Sequence, residues 1–421
     1  MRRDFLYLTE IKVMRRLLFL LVFISFIARA QSPWPSESWS SATNLTEVMS
    51  SSGVTDLSGL HWNSLLKRLY AVQGDGRLHV LQLNTATNVF TQIADKALAN
   101  GPEGITQADL SANTFYTIDE NQYEIRKFNH NNSFSSISLS RHWNLLAAPS
   151  PMQDTGNLGP EGIVFVPDAA LSAAGFISQQ TGQPYVSQKG MGGLMFVAHQ
   201  DGGYLWVFDI NPNVNNDFSY VGKYKTNQTE SCDLAFDQSS GMLYILHNVT
   251  ANNTIELSNL STISLPNGER KMVTTAEYHI PDSGANANIE GFAITPKCDP
   301  LGVSVWLCRD VESSESLTAQ QDVLRWFSPF EDISSCLLGV HDSNVTKISI
   351  APNPVGERLT ISGNSLDGAD AIIYNSVGQI VFHGRLSGPQ PEINTQYLTS
   401  GIYFVKVKSN NSEWCAKFVK R

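Results

Sequence analysis

A short motif that carries a glutamate recurs along this sequence and is its strongest candidate for chemistry. Gly-Pro-Glu-Gly-Ile occurs at residues 101–105 and 159–163, and Asn-Ile-Glu-Gly-Phe follows at residues 288–292. The acidic positions are Glu103, Glu161 and Glu290. Carboxylates brought together repel one another and take up protons, so a bound cation is the simplest way to keep them ionised. Oxygen ligands of this kind favour calcium over zinc.

The elements around the motif predict how the three glutamates are brought together. Each copy opens an apolar run, crosses a polar turn and is followed by a second β-rich run, which is typical of one blade of a β-propeller. In that fold the first strand of each blade lines the central channel, and glycine there lets neighbouring backbones approach closely. A glutamate just before the glycine then points at the mouth of the channel. We therefore expect an all-β chain with a propeller over residues 31–340.

The number of blades follows from the number and spacing of the repeats. Five repeat starts are visible, about 45, 58, 71 and 58 residues apart, whereas a four-stranded blade takes ~40–50 residues. The wider gaps hold either insertions or a blade with a weak signature. We expect five or six blades, with six preferred and with the last blade closed by strands from both ends of the domain. A long insert in the third repeat, about 167–193, is a candidate binding loop, above all at 176–190.

Other polar residues follow the predicted inner strands and are expected near the same channel mouth. Asp119 is a fourth candidate calcium ligand. The candidates for contact with a ligand at the mouth are Glu120, His199, Asp201, His247, Arg309 and Asp310. The first and fourth repeats have Ser58 and Cys232 at the glutamate position, which excludes a ring of five identical ligands. The alternative is that each glutamate accepts backbone N–H bonds of its own blade, without a metal, and that the histidines are hydrogen-bonding loop residues.

Composition and charge limit the classes of partner. The 421 residues are 42% hydrophobic and 16% charged, with 30 Gly and 18 Pro, which suits a turn-rich β protein. A net charge of −10 argues against a nucleic-acid partner bound through its phosphates. The sequence contains no nucleophile elbow, zinc-protease helix motif, phosphate-binding loop or dinucleotide fingerprint. A Ser-His-Asp arrangement stays open, because such triads are recognised by geometry rather than by spacing.

The five cysteines do not form a metal-binding pattern. They are Cys232, Cys298, Cys308, Cys336 and Cys415, and none lies in a Cys-x-x-Cys pair. In an exported chain one or two disulfides are expected, with Cys298 bonded to Cys336 or to Cys308. The alternative is that all five are small buried apolar side chains.

Residues 1–30 are expected to be a signal peptide. Arg15 and Arg16 precede an apolar run at residues 17–27, and Ala28-Arg29-Ala30 forms a small-residue cleavage site. The run of eleven residues is too short to cross a bilayer as a helix, which takes ~20 residues. No later stretch is long and apolar enough to do so, and we therefore expect no transmembrane span in the mature chain.

The sequence changes character after Cys336. Residues 341–346 are a polar stretch that we interpret as a linker, and short alternating strands follow over residues 347–421. This pattern predicts a small β-sandwich at the C-terminal end of the chain.

The propeller repeats resemble a known group of proteins. Asp-Leu-Ser-Gly-Leu at 56–60, the Glu-Gly-Ile copies, the Asp-Glu pair at 119–120 and the motif at 288–292 look like the propellers of the SdiA-regulated group and the related esterase-like phytase group. The resemblance covers about residues 55–330. It implies a calcium-binding propeller and, as an alternative, a hydrolase that uses calcium to polarise phosphate and activate water. Few basic residues are available to grip phosphate oxygens.

The C-terminal segment closely resembles the C-terminal sorting domain of the type IX secretion system over about residues 347–421. The landmarks are Pro352, Asn353, Pro354, Gly378, Gly401, Tyr403 and Lys406. The resemblance implies a cargo that the type IX machinery carries through the periplasm and the outer membrane, so that the protein is secreted or attached to the cell surface. The alternative is an ordinary terminal β-sandwich used for ligand binding.

Two functions follow from these features. The first is an exported propeller, stabilised by a cation such as calcium, that binds an unknown extracellular ligand or partner. The second is a calcium-dependent hydrolase of phosphoesters or similar esters. The excess of acidic over basic residues at the predicted channel mouth favours binding.

Overall fold

The structure, a computed structural model, divides the chain into two compact units, residues 1–336 and 337–421. The described residues are 32–98, 101–249, 253–281, 287–299, 302–331, 349–362, 366–375, 379–388, 391–409 and 412–421. Four of the predictions lie outside them, namely the signal peptide at 1–30, the linker at 341–346 with its domain boundary, Gly378 and the pairing of Cys336.

The first unit is a β-propeller of four-stranded antiparallel blades, two of which are joined edge to edge by a short parallel strand pair into one eight-stranded sheet. It begins with β1 (Thr43–Asn44) and α1 (Thr46–Met49). Blade 1 consists of β2 (Leu57–Asn63), β3 (Arg68–Gln73), β4 (Arg77–Asn84) and β5 (Val89–Ala97). Blade 2 consists of β6 (Pro102–Thr106), β7 (Thr114–Asp119), β8 (Glu124–His130) and β9 (Ile137–Asn144). Blade 3 consists of β10 (Pro160–Pro167), α2 (Asp168–Ala174), β11 (Gly193–His199), β12 (Tyr204–Ile210) and β13 (Phe218–Lys225).

Two further blades complete the unit. Blade 4 consists of β14 (Asp233–Asp237), β15 (Met242–His247), β16 (Thr254–Ser264) and β17 (Arg270–His279). Blade 5 consists of β18 (Asn288–Ile294), β19 (Val305–Asp310), α3 (Leu317–Gln320) and β20 (Leu324–Phe327), with β1 as its fourth strand. The last blade is therefore closed by strands from both ends of the domain, as the sequence predicted. No helix that the structure describes is long and apolar enough to cross a membrane.

The burial of each strand follows from its place in the blade. Second strands such as β3 and β7 are buried almost throughout, because they are packed between neighbouring blades on both faces. Their sequences accordingly read as nearly continuous apolar runs. The outer strand β5 instead alternates between exposed and buried positions, since one of its faces meets solvent.

Glycines close the ring around the central channel. A Cβ atom on Gly59 of β2 would lie 2.3 Å from the backbone oxygen of Glu103, and one on Gly104 of β6 would lie 2.7 Å from that of Glu161. Glycine is required at such contacts because any side chain would collide with the next blade. The same contact joins Gly291 of blade 5 back to blade 1, at 2.7 Å from the oxygen of Ser58.

The described residues therefore form a closed ring of five blades, so the preference for six is wrong and the five-bladed alternative is confirmed. Blades 5 and 1 also share a core, in which the rings of Trp306 and Trp62 stack with their centroids 4.5 Å apart. No gap is left between them for a sixth blade. The wide repeat spacing comes instead from the loop at 145–159 and from the insert in blade 3.

The insert at about 167–193 is folded against its own blade. Phe176 is fully buried in the blade 3 core. Buried Asp209 of β12 accepts hydrogen bonds from Tyr185 Oη at 3.0 Å, Ser187 Oγ at 2.8 Å and the Gln188 backbone nitrogen at 2.6 Å. The segment is thus anchored by packing and by a buried carboxylate rather than extended as an open binding loop.

The cysteine predictions have a mixed outcome. Cys298 is disulfide-bonded, whereas Cys232 and Cys308 are free and buried. The proposed bond from Cys298 to Cys308 is therefore wrong. Both free thiols donate to backbone carbonyls of β-strands, Cys232 to Leu246 of β15 at 3.4 Å and Cys308 to Leu57 of β2 at 3.3 Å. Cys232 and Cys308 serve as small core side chains, but the alternative that all five cysteines do so is wrong because Cys298 is disulfide-bonded.

The second unit is a β-sandwich of two antiparallel sheets, which confirms the predicted C-terminal fold. The first sheet contains β21 (Ser349–Ala351), β22 (Arg358–Ser362) and β25 (Glu392–Asn394). The second has the order β24 (Ile380–Arg385), β23 (Asp370–Asn375), β26 (Gly401–Ser409) and β27 (Ser412–Lys420). Alternate residues of the facing strands, such as Ile361, Ile373, Val405 and Phe418, form the core between the sheets.

The Pro-Asn-Pro landmark has a structural place at the edge of this second sheet. Asn353 accepts a hydrogen bond from the Val419 backbone nitrogen at 2.9 Å and donates to the Lys417 carbonyl at 3.3 Å. The Val355 nitrogen donates to the Val419 carbonyl at 2.7 Å. The segment therefore covers part of the free edge of β27, which would otherwise be open to pairing with another strand.

Candidate functional site at the acidic end of the channel

The three repeated glutamates lie at one end of the channel. They lie near the starts of three inner strands, Glu103 in β6, Glu161 in β10 and Glu290 in β18. These inner strands run in the same direction. The antiparallel partner strands end at the same level, because Pro102 pairs with Asp119 and Asn288 pairs with Asp310. The structure therefore places the predicted acidic residues together.

The glutamates influence one another strongly. Burial raises the pKa of Glu161 well above its usual range, and the charges of Glu290, Glu103 and Glu120 add to this effect. Burial likewise raises the pKa of Glu290, with contributions from Asp310 and Glu103. Burial raises the pKa of Glu103 to about 8, with Asp56, Glu120 and Asp119 acting in the same direction and a hydrogen bond from Ser58 opposing them. The acidic end of the channel therefore favours protons or other cations.

Space for the carboxylates comes from a glycine of blade 1. A Cβ atom on Gly74 would lie 2.9 Å from both Asp56 Oδ2 and Glu103 Oε1, so these two carboxylates approach the same point. Burial and the neighbouring charges of Asp310 and Asp75 raise the pKa of Asp56. Asp56 is therefore a further member of the cluster, contributed by a repeat that lacks the glutamate.

The glutamates have few hydrogen-bond donors as partners. Asn288 Nδ2 donates to Glu290 Oε1 at 2.7 Å and to Asp310 Oδ2 at 3.1 Å. Glu161 lies within hydrogen-bond reach of the Glu120 carboxyl group, which itself accepts from the Gly159 nitrogen at 3.0 Å. Within the described ranges, no backbone N–H donates to Glu103, Glu161 or Glu290, and no lysine or arginine pairs with them. Backbone capping of each blade therefore does not account for the glutamates.

The spacing of the carboxylates bears on the predicted calcium site. Among the residues that the structure describes, no group of three or more His, Cys, Asp or Glu side chains is close enough to hold one metal ion. A shared calcium ion would need the carboxylates to move closer together than they are placed. Asp119 fits least well as a ligand, because it is paired with Arg126 at 2.6 Å and accepts from the Gln122 nitrogen at 2.8 Å. Calcium at this end of the channel stays a prediction.

His247 does not line the channel mouth, which corrects the interpretation from its place after a strand. It is the last residue of β15 and fully buried, with Nε2 3.0 Å from Glu256 Oε2 and Nδ1 2.7 Å from the Glu230 carbonyl. Ser231 Oγ also lies 3.2 Å from Nδ1. The order serine, histidine, carboxylate is that of a hydrolase triad, but all three side chains are 0% exposed and no substrate reaches them.

The other candidates at the mouth differ in their availability. His199 is 2% exposed and both its ring nitrogens lack a hydrogen-bond partner, and burial lowers its pKa to about 4. Arg309 donates to the Asp322 carboxylate at 3.0 Å and to its backbone oxygen at 2.6 Å. Its charge is therefore already compensated. Asp201 is exposed in the turn between β11 and β12, where its nitrogen donates to the Leu158 carbonyl at 3.1 Å.

One buried carboxylate on the channel axis was missed by the sequence analysis. Asp233 of β14 takes the place of the repeated glycine and accepts hydrogen bonds from the nitrogens of Phe292 and Leu234, both at 2.8 Å, and of Leu60 at 3.4 Å. It thereby connects blades 4, 5 and 1. The signal was the sequence Cys-Asp-Leu at 232–234, where the other repeats have a glycine in second position.

A pH experiment tests whether burial of the ionised Glu103 carboxylate lowers the stability of the fold. The folded-state pKa of about 8 for Glu103, against an ordinary value of 4.5, means that its contribution to stability is present below pH 4.5 and lost as pH rises through 8. Without added cations, we expect Glu103→Gln to raise the melting temperature at pH 8 by a few degrees and to have little effect at pH 5. The control is Asp109→Asn, which changes an exposed carboxylate at the opposite end of the channel. A lower melting temperature for Glu103→Gln at pH 8 would show that the carboxylate stabilises its blade.

Comparisons with known proteins agree with the two-part architecture. Residues 41–171 match the family model described as SdiA-regulated, and residues 349–421 match the model described as secretion system C-terminal sorting domain. A search of curated proteins found no match.

Three of the solved structures that match this chain are distant from it in sequence and in structure. A nidogen/laminin complex aligns with 15% identity and a TM-score of 0.33, over 65% of this chain and 84% of that chain. PorZ, a surface component of the type-IX secretion system of Porphyromonas gingivalis, aligns with 13% identity and a TM-score of 0.25, over 87% of this chain and 45% of that chain. Raptor of Chaetomium thermophilum aligns with 10% identity and a TM-score of 0.33, over 87% and 28%. This chain thus spans less than half of the last two, and none of the three assigns a function.

The C-terminal match and the sandwich fold agree in their boundaries, and the propeller match begins just before β1. Sorting by the type IX system directs a chain through the periplasm and the outer membrane. The chain is therefore an exported protein, secreted or held at the cell surface, that carries a SdiA-regulated segment in its propeller and a secretion system C-terminal sorting domain at its end.

Proposed function

We propose that this exported propeller is a binding module whose acidic channel end takes a cationic ligand, with calcium as the first candidate. The observation that carries the proposal is the set of one buried and two half-buried glutamates, Glu161 with Glu103 and Glu290, which repel one another and have no cationic side chain paired with them among the described residues. Burying like charges without compensation costs stability. A cation that arrives from outside removes that cost, and this gives the site its affinity.

The charge of the surrounding propeller supports the same ligand class. Residues 31–348 contain 32 acidic and 16 basic residues, so the unit carries a large negative charge. Such a field attracts cations and repels anions. The two arginines nearest to the acidic cluster, Arg126 and Arg309, are already paired with Asp119 and Asp322. A phosphoester would therefore meet carboxylates without free basic partners, and no observation favours the hydrolase alternative.

Calorimetric titration of the full mature chain with calcium chloride at pH 8 tests the proposal. Because Glu161 is the most buried of the three glutamates, at 8% exposed, we expect Glu161→Gln to weaken calcium binding at least about tenfold. Calcium binding displaces protons from carboxyl groups whose pKa is raised, so the affinity is expected to fall as pH decreases from 8 to 6.

The matched control is again Asp109→Asn, which removes one negative charge far from the acidic end and is expected to bind calcium like the unmodified chain. The absence of binding in the unmodified chain would contradict the calcium assignment. Equal binding by Glu161→Gln and Asp109→Asn would contradict the location.

A further inference from the structure

One face of the C-terminal sandwich carries an apolar surface that its own fold does not cover. The inner face of the β24–β23–β26–β27 sheet packs on the first sheet, whereas its outer face is open. Four large apolar side chains lie on that outer face. They are Ile380 at 60% exposed, Ile402 at 47%, Phe404 at 37% and Val419 at 36%.

The strand register makes these side chains neighbours. Phe404 of β26 is directly opposite Tyr374 of β23, which is opposite Ile380 of β24. In the next row, Ile402 of β26 is opposite Val419 of β27. Directly opposite residues have Cβ atoms ~4.5–5.5 Å apart, and rows two residues apart on one face are in reach of each other. The five side chains therefore form one continuous patch, which we call the outer apolar face.

The apolar residues at outward positions of this sheet are not expected for a face that meets only solvent. An antiparallel strand with one buried face normally alternates between apolar residues inside and polar residues outside. On β26 the inward residues Tyr403 and Val405 are buried as expected, but the outward residues between and beside them, Ile402 and Phe404, are also apolar. Contiguous exposed apolar patches of this kind mark surfaces for protein partners.

Basic residues border the outer apolar face. Lys417 of β27 is opposite Phe404 at the border of the patch, whereas Lys408, further along β26, is opposite Asp370 of β23 and so has an acidic neighbour within its own sheet. Residues 349–421 contain seven basic and five acidic residues, in contrast to the strongly acidic remainder of the mature chain. The lysine at the border therefore favours a partner that presents apolar side chains with carboxylates beside them.

The edge of the same sheet is less available than its face. Asn353 and Val355 already form hydrogen bonds with the backbone of β27 near its end, which hinders the addition of a further strand there. Near the β27 edge the partner consequently meets side chains on the sheet face rather than backbone groups.

We propose that the outer apolar face is the surface by which the export machinery recognises this chain, and that the machinery contributes an apolar surface flanked by carboxylates. Because residues 349–421 match a sorting domain, this unit is the part of the chain that the export machinery would recognise. The outer apolar face offers side chains that the fold of the unit leaves exposed. The inference does not depend on the ligand of the propeller.

The test is export of the full chain in a host that has the type IX machinery, measured as the ratio of surface or secreted protein to periplasmic protein. We expect Phe404→Lys to reduce that ratio at least about tenfold, because the partner would have to desolvate a charged side chain in the centre of the patch, which is unfavourable. Lys417→Glu is expected to reduce it as well, by charge reversal at the border. The matched control, Tyr397→Lys, changes a side chain that is 55% exposed and lies outside the sheet, and it is expected to be exported normally.

Two readouts make the result decisive. Thermal unfolding of the purified variants shows whether Phe404→Lys folds, and Lys417→Glu keeps the test valid if it does not. Normal export of both Lys417→Glu and a folded Phe404→Lys would overturn the proposal. If Phe404→Lys does not fold, normal export of Lys417→Glu would overturn it. Size-exclusion chromatography tests for a dimer of the unmodified chain. If Phe404→Lys abolishes such a dimer without loss of export, the proposal is overturned in favour of contact with a second copy.

Discussion

Replacing Gly162 by alanine is expected to destabilise the propeller by more than about 3 kcal/mol or to prevent its folding. A Cβ atom at this position would lie 2.5 Å from Asp233 Cα and 2.6 Å from the Cys232 carbonyl oxygen. Both are backbone atoms of the next inner strand, so neither can turn aside as a flexible side chain would. The closed ring prevents blade 4 from moving away without disturbing blade 5. Urea unfolding followed by tryptophan fluorescence measures the loss.

The control for this prediction is Gly156→Ala. Gly156 has a left-handed backbone with φ of +63° but no atom within 4 Å of the added carbon. The strain of a left-handed alanine costs about 1 kcal/mol, and no collision is added to it. Similar losses for Gly156→Ala and Gly162→Ala would contradict the view that close packing at the axis determines the ring.

Replacing Glu256 by alanine is expected to cost about 3–5 kcal/mol, because it leaves the buried donors of its hydrogen bonds, His247 among them, without a partner. Glu256 and His247 are both 0% exposed, and Glu256 also accepts hydrogen bonds from Thr274 Oγ1 at 2.5 Å and the Asn227 nitrogen at 2.7 Å. Burial alone would raise the pKa of Glu256, but the hydrogen bond and charge of His247 outweigh it and lower the pKa. The contribution of Glu256 is therefore present above pH 4.5 and lost as pH falls below that value.

A double variant separates the contact between His247 and Glu256 from the rest of the effect. His247→Leu combined with Glu256→Leu removes both polar groups and restores apolar volume, so we expect it to be less destabilised than Glu256→Ala alone. Because Thr274 and Asn227 still lose an acceptor, recovery is expected to be partial. A loss below about 1 kcal/mol for Glu256→Ala would contradict a stabilising role of the pair.

The repeated Glu-Gly motif was sufficient to predict the inner strands and the position of three carboxylates. Glycine marks the crowded axis and the preceding glutamate marks the channel end, so the sequence alone predicts the positions of Glu103, Glu161 and Glu290. The number of blades was harder to predict than the inner strands. The segment between Gly104 and Gly162 contains a loop that is long enough to hold two further strands.

Partners across strands could not be predicted in the same way. His247 looked like a loop residue because a polar side chain ends an apolar run, but the hairpin of β15 and β16 brings it to Glu256 nine residues later. Arg126 similarly neutralises Asp119 from the neighbouring strand β8. Such pairs depend on strand register, which the local sequence does not specify. The exposed apolar side chains of β26 were visible in the sequence, but only the structure shows that they share a face.

The measurement that tests the central claim most directly is a crystal structure of the full mature chain grown with calcium at pH 8, with anomalous scattering to identify the ion. The proposal predicts a calcium ion at the acidic end of the channel, bound by carboxylate oxygens of at least two of Glu103, Glu161 and Glu290. It also predicts that these side chains move towards the ion from their present positions. A channel end without a cation, with the glutamates hydrogen-bonded to one another as neutral acids, would contradict the proposed function.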